Sequence, residues 1–383
     1  MKIARIATVP FFLQNHLSLQ IKKLASSGYE VFLLSSAGPE VSKLKKIDDV
    51  SFIEVNIVRG ISPVKDLISL WRLYWCFRRR KFDIVHTTTP KAGTLGALAA
   101  FVARVPIRLH TFTGQPWAEM SGVKRELVKF GDKLTAALNT RCYADSFSQR
   151  DFLVKEHIAL KSRFRVLGEG SLAGVDLERF SGVVPSPERQ RRLIALQIPV
   201  NHHVIAFIGR ITADKGIKEL IESFKLLQEK GAACTLLLIG PEEQDAKQLY
   251  IASGIDRLKN VRRLGYQSNP EYWLSLTDVF CLPSYREGFG NVVIEAAAMG
   301  VPTVGTDIPG LRDAVVHEET GILVPPKDVA ALSRALEILI EDSSLRNRMG
   351  LKAQKRVREQ FDASKVNALL IAEYHLLHRE FIP

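Results

Sequence analysis

The chain has 383 residues, of which 46% are hydrophobic and 25% charged. These proportions exclude a disordered or fibrous chain, and the length suits two domains of about 150–200 residues better than a single core. The net charge of +12 lies wholly in the first half: residues 1–180 hold 28 Lys and Arg against 16 Asp and Glu, and residues 181–383 hold 25 of each. A basic domain favours anionic lipid surfaces, phosphorylated acceptors or nucleic acid, but nothing in the sequence carries a nucleic-acid-binding signature.

Strand-like runs alternate with helix-like ones from end to end, the pattern of parallel sheets joined by crossover helices. The first-half strand candidates are KIARIATV (2–9), YEVFLLSS (29–36), FIEVNI (52–57), FDIVHTTT (82–89), PIRLHTF (106–112), RCYADSF (141–147) and RFRVLGEG (163–170). MKIARIATVPFF opens directly as a strand, without a signal-peptide pattern. Within SPVKDLISLWRLYWCFRRRKF (62–82), Trp71, Tyr74, Trp75 and Phe77 precede Arg78, Arg79, Arg80 and Lys81. Aromatics beside cations suit headgroup depth on an inner-leaflet surface, and the same run also reads as a crossover helix whose closing cations complement its dipole. His86 and His110 follow strand runs, where a side chain can reach a ligand or simply complete a core.

The run SGVVPSPERQRRLIALQIPVN (181–201) has the Pro, Ser and charge content of a connector. Domains are therefore expected over 1–182 and 200–361, with an amphipathic final helix over 362–383. Second-half strand candidates are VIAFIGR (204–210), CTLLLIG (234–240), VRRLGY (261–266), VFCLPS (279–284), PTVGTD (302–307) and TGILVP (320–325). Cys76, Cys142, Cys234 and Cys281 have neither metal-ligand spacing nor a disulfide framework, which implies a reducing compartment. No uncharged apolar run of about 18 residues is present to cross a membrane.

Two segments carry chemistry. HVIAFIGRITADKGIKELIESF (203–224) reads as strand, loop and helix, with Gly209 and Gly216 bracketing Arg210 and Lys215. Two cations on a loop at a strand's carboxyl end suit a diphosphate, Arg gripping oxygens bidentately and Lys adding a point charge. PSYREGFGNVVIEAAAMGVPTVGTD (283–307) follows a buried strand with a glycine turn and a helix start. Gly288, Phe289 and Gly290 form the turn, the amides near Asn291 and Val292 would face an anion, and Glu287 and Glu295 flank the helix start. Taken alone, this segment also fits an ordinary strand–helix unit with surface glutamates.

Together these segments resemble the retaining glycosyltransferases of the GT-B fold, in the family 4 group. EGFGNVVIE matches that family's two glutamates with seven residues between them, GRITADKG its phosphate-gripping loop, and LPSYREGFG, TDIPGLRDAV and TGILVPP complete the run. FDIVHTTTPKAGTLGALAA (82–100), RLHTFTGQPW (108–117), ADSFSQRDFL (144–153) and GEGSLAGVDLERF (168–180) look like the bacterial envelope-polysaccharide and lipopolysaccharide transferases. Ala173 departs from the Asn such proteins often carry there, and VPFFLQNH (9–16) lacks a glycine where the family's first loop approaches the donor.

The resemblance implies an α/β GT-B protein: two Rossmann-like domains facing a central cleft, with the C-terminal helix crossing back to the first. It implies metal-independent transfer of a hexosyl or N-acetylhexosaminyl group, with retention, from a UDP-type nucleotide-sugar to a lipid-linked or lipopolysaccharide acceptor, and no cofactor. Arg210 and Lys215 would hold the diphosphate, Glu287 the sugar, Glu295 the ribose, and Tyr266 the base, while His110 would reach the transferred sugar. His86 would line the acceptor side. The expected setting is cytoplasmic, peripheral to the inner membrane. Two other functions remain compatible: a GT-B nucleotide-sugar epimerase, and a non-catalytic protein that binds nucleotide or a lipid surface.

Overall fold

The first sheet grows outward from two central strands. In a computed structural model describing residues 1–58, 60, 62–181 and 185–382, β1 (Lys2–Ile6), β2 (Glu30–Ser35), β3 (Val50–Glu54), β4 (Ile84–Thr88), β5 (Ile107–Phe112), β6 (Arg141–Ala144) and β7 (Phe164–Arg165) pair in the order β3-β2-β1-β4-β5-β6-β7. A second sheet holds β8 (His203–Ile208), β9 (Cys234–Ile239), β10 (Val261–Gly265), β11 (Val279–Leu282), β12 (Thr303–Thr306) and β13 (Gly321–Val324), in the order β10-β9-β8-β11-β12-β13. Every strand pair in both is parallel. Strands such as VFLL and CTLLLI are buried along their length, because crossover helices cover both sheet faces. All thirteen strand runs read from the sequence are strands here.

Contacts divide the chain into Met1–Gly174 with Ala363–Pro383, and Val175–Asp362. The seam thus precedes the 182–200 stretch expected from composition, of which residues 182–184 lie outside the described residues. Val175 and Phe180 are buried in the second core, and the Val175 amide donates to the Phe361 carbonyl at 2.8 Å. The connector reading also missed a helix, Ser186–Ala195, whose Leu193 is buried with Ile198 and Val204. Its polar residues occupy the outer face, which is why composition suggested a linker.

The last helix, Ala363–Phe381, covers one face of the first sheet with Leu370, Tyr374 and Leu377; Pro383 of the expected 362–383 helix lies outside the described residues. On the opposite face, Pro63–Arg80, Pro90–Val102 and Gly122–Leu138 form a helical layer, the middle helix packing against both neighbours. The loop VPFFLQNH does not approach as an extended turn: helix Pro10–His16 starts at once, with Pro10 in the first position where no N–H is required.

Candidate active site

In the second sheet, β8 leads toward β9 on one side and β11 toward β12 on the other. Their loops diverge at this switch in strand order, where open parallel sheets bind ligands. The β8 loop carries Gly209–Gly216 and the β11 loop Pro283–Gly290, so both chemistry-bearing segments meet at one crevice.

Backbone and side chains lace the two loops together. The Tyr285 amide donates to the Asp214 carbonyl at 2.9 Å, and Arg286 pairs with the Asp214 carboxylate at 2.8 Å. Gly216 sits at φ +69°, and a Cβ there would strike the Pro283 carbonyl oxygen, so the approach requires glycine. At the centre, Lys215 Nζ lies 2.5 Å from Glu287 Oε1, with the two side chains only 15% and 14% exposed. The Ser284 hydroxyl donates to the same oxygen at 2.8 Å. Glu287 Oε2 has no protein partner among the described residues, and Lys215 Nζ bonds none besides Glu287. The ion pair therefore holds both groups in fixed rotamers while leaving an acceptor oxygen and ammonium hydrogens for a ligand.

Arg210 stands at the rim, 43% exposed, 3.6 Å from Glu243 and 4.0 Å from Asp214. Helix Asn291–Ala298 begins after Gly290, a residue with no side chain to act as a cap. The positive end of the helix dipole lies at this turn, which suits an anion. Gly288 is buried, and the Phe289 ring packs on Phe361 at 5.2 Å, so Phe289 offers a ligand its main chain alone. Asn291 and Val292 are partly buried in the first turn.

Glu295 follows one turn later and makes no side-chain hydrogen bond or ion pair among the described residues. Burial pushes its carboxyl up to about 7; Arg179 opposes this and Glu271 adds to it. Hydroxyls donating to it would favour the charged form. Tyr266, just past β10, is 52% exposed.

The candidates in the first unit are placed differently. His110 is 1% exposed, its Nδ1 lies 2.8 Å from Thr87 Oγ1, and its ring packs edge-on to Phe112. Gly93 of the middle helix lies directly over it, and a Cβ there would enter the ring. Burial takes the His110 imidazole down to about 3, so it is neutral. His86 is also 1% exposed, between Arg5, Tyr374 and Thr111, the last at 2.8 Å from Nε2. Burial, then Arg5 and His110, holds it well below the usual histidine range. Arg78, Arg79 and Arg80 are exposed in the last turn of Pro63–Arg80, with Lys81 as its left-handed cap. Among the aromatics read beside them, Trp71 and Trp75 are exposed, whereas Phe77 is 1% exposed and faces the sheet, with Tyr74 against the same core.

The sequence reading brought Lys215 and Glu287 to the site but gave them separate tasks; their direct pairing emerges only in space. It overlooked Ser284, Asp214, Arg286 and Glu243. Ser284, three residues before Glu287 at the end of a buried strand, was the one with a readable signal. Among the described residues, no three His, Cys, Asp or Glu side chains converge as metal ligands, and no helix is long and apolar enough to cross a membrane.

Residues 13–170 match the family described as glycosyl transferase 4-like domain, and residues 189–356 the one described as glycosyl transferases group 1. A capsular polysaccharide biosynthesis glycosyltransferase of Staphylococcus aureus is 33% identical over 94% of this chain and 93% of its own length. The UDP-Gal:α-D-GlcNAc-diphosphoundecaprenol α-1,3-galactosyltransferase of Escherichia coli is 27% identical over 95% and 94%. An Anabaena protein solved with UDP and glucose shares the fold, with a TM-score of 0.79 at 19% identity, covering 98% and 99% of the two chains.

Proposed function

Because this chain belongs to the group 1 glycosyl transferases and has the GT-B fold, we propose that it moves a hexosyl or N-acetylhexosaminyl group from a UDP-sugar to a lipid-linked saccharide in envelope polysaccharide synthesis. The observation that carries this reading is the Lys215–Glu287 pair at the switch of the second sheet, beside the start of helix Asn291–Ala298 and Glu295.

Lys215, with Arg210 and the first-turn amides of Asn291–Ala298, would stabilise charge developing on the departing diphosphate. Such groups can replace a metal in that role, so the transfer is read as metal-independent. Oε2 of Glu287 would accept from sugar hydroxyls, and Glu295 from the ribose. Retention fits same-face attack, with the leaving phosphate taking the acceptor proton; neither glutamate need become a covalent nucleophile. The Escherichia coli relative supports a lipid-diphosphate acceptor, and the basic first domain supports work at the inner leaflet.

The test is a panel of nucleotide-sugars followed by turnover with a lipid-diphosphate saccharide. A UDP-sugar should raise the melting temperature by mass action, and its sugar should appear on the acceptor in the donor's anomeric configuration. Interconversion of the free nucleotide-sugar without transfer would identify an epimerase instead.

A further inference from the structure

The helical layer of the first unit carries an outward feature that the cationic cluster alone does not describe. Along Pro63–Arg80, Val64, Leu67, Ile68, Trp71 and Trp75 are exposed by 73%, 67%, 48%, 62% and 41%. Their spacing of 3, 4, 7 and 11 residues from Val64 places them on one stripe. The opposite stripe of the helix buries Ser69, Leu73 and Phe77 against the sheet. The helix is therefore apolar on two faces, and one of them points directly away from the core.

Gly122–Leu138 repeats the arrangement. Val123, Leu127 and Phe130 are 86%, 56% and 61% exposed at i, i+4 and i+7, opposite the buried Lys129, Asp132, Thr135 and Ala136. Because Pro90–Val102 packs between the two helices, their apolar stripes form parallel ridges about 16–20 Å apart at ordinary helix spacing. Phe101 and Val102, 50% and 56% exposed, are the last two residues of the middle helix.

Lone exposed apolar residues need no explanation, but two aligned ridges do. Their charged neighbours identify the occupant. Lys65, Arg72, Arg78, Arg79 and Arg80 are exposed around the first ridge, and Lys124 and Lys133 around the second. The acidic groups of these two helices are engaged or buried: Asp66 pairs with Lys91 and Glu126 with Arg125, both at 2.7 Å, and the Asp132 carboxylate accepts from the buried Trp117 indole. A second copy meeting this face would bring like charge against like charge. A planar anionic surface contacts both ridges at once, takes the aromatics at headgroup depth and pairs with the cations.

We propose that the two ridges together are the docking face for an anionic lipid bilayer, with Val123, Leu127 and Phe130 forming a second insertion point independent of the Arg78–Lys81 cluster. This extends the inner-leaflet partner in the proposed function, and it is tested without relying on transfer to any acceptor. Vesicles of phosphatidylglycerol and phosphatidylethanolamine are mixed with the full chain, its Leu67→Asp/Trp71→Asp variant and its Val123→Asp/Phe130→Asp variant. The melting temperature is measured in parallel to confirm the fold of the first unit, and UDP affinity to follow the second.

Each variant should lose about tenfold or more in vesicle binding while keeping UDP affinity, because buried apolar area and cation–lipid attraction both contribute. Brominated lipids should quench exposed tryptophan fluorescence in the unaltered protein and less so in the Trp71 variant. Unchanged binding in the Val123/Phe130 variant would remove the second ridge from the proposal. If the ridge variants instead turn a dimer into a monomer, the face is a contact between copies and the lipid assignment fails. In the unaltered protein, vesicle binding without UDP affinity would count against the proposed function, not the docking face.

Discussion

The two units share one sheet order over six strands, the first adding a seventh at its edge, but deploy their polar residues oppositely. In the second, Lys215, Glu287, Glu295 and Arg210 converge on the crevice where the strand order reverses, each retaining capacity for a ligand. In the first, His86 and His110 are enclosed on opposite faces of the sheet, with both imidazoles held neutral by burial. The first unit instead exposes apolar ridges, whereas exposed apolar residues of the second, such as Ile194, Ile251, Ile338 and Leu351, stand on separate helices. One Rossmann-like plan can thus serve as a polar binding crevice or as a docking surface. The difference lies in which side chains occupy the strand ends and the outer helix faces.

The largest expected effect would break the second unit's crevice. Lys215→Ala should reduce turnover by about 100-fold or more, since a positioned charge on the leaving group is lost. Glu287→Gln should come close to it, because it unseats Lys215 as well as the sugar contact; near-normal turnover in both would remove this pair from the reaction. Arg210→Ala, at an exposed rim, should cost less than Lys215→Ala.

Gly216→Ala comes next. The new methyl meets the Pro283 carbonyl at a left-handed backbone position, so the two loops must part. Strain of about 1–3 kcal/mol should appear as weaker UDP binding together with a lower melting temperature. A variant with wild-type binding would show that the lacing does not shape the site.

The comparison sharpens with pH. Glu295 in the folded protein titrates near 7, above its ordinary range, so the folded state holds a proton that the unfolded state releases at lower pH. Its contribution to stability should fall as pH rises from about 4.5 toward 7. UDP affinity should move the other way, rising through the same upper range as the carboxylate forms to accept hydroxyls. Glu295→Gln should flatten both profiles, and an unaltered slope in that variant would assign the titration elsewhere.

The smallest effect on binding is expected in the first unit. His110→Asn should lower the melting temperature, because the space beneath Gly93 is no longer filled, yet leave UDP affinity within about twofold, since the groups proposed to hold UDP belong to the other unit. A large loss of turnover with an unchanged melting temperature would instead give the imidazole a direct part in transfer.

The sequence by itself determined the strands, the parallel class and the two loop segments that meet at the crevice. Buried parallel strands are unbroken apolar runs, and a glycine turn feeding a helix is local chemistry legible in a few residues. The final helix was also legible, since its apolar spacing requires a surface to cover. Only the tertiary structure decided that Lys215 pairs with Glu287, 72 positions away, because that contact depends on which strands are neighbours. Only it showed that Phe77 faces inward while Val64, Leu67 and Ile68 face out, and that Gly122–Leu138 repeats the stripe. A helix with two apolar faces does not reveal from its spacing which face the sheet takes. It also moved the unit seam to Gly174/Val175, since Val175 and Phe180 belong to the core they fill and not to the composition around them.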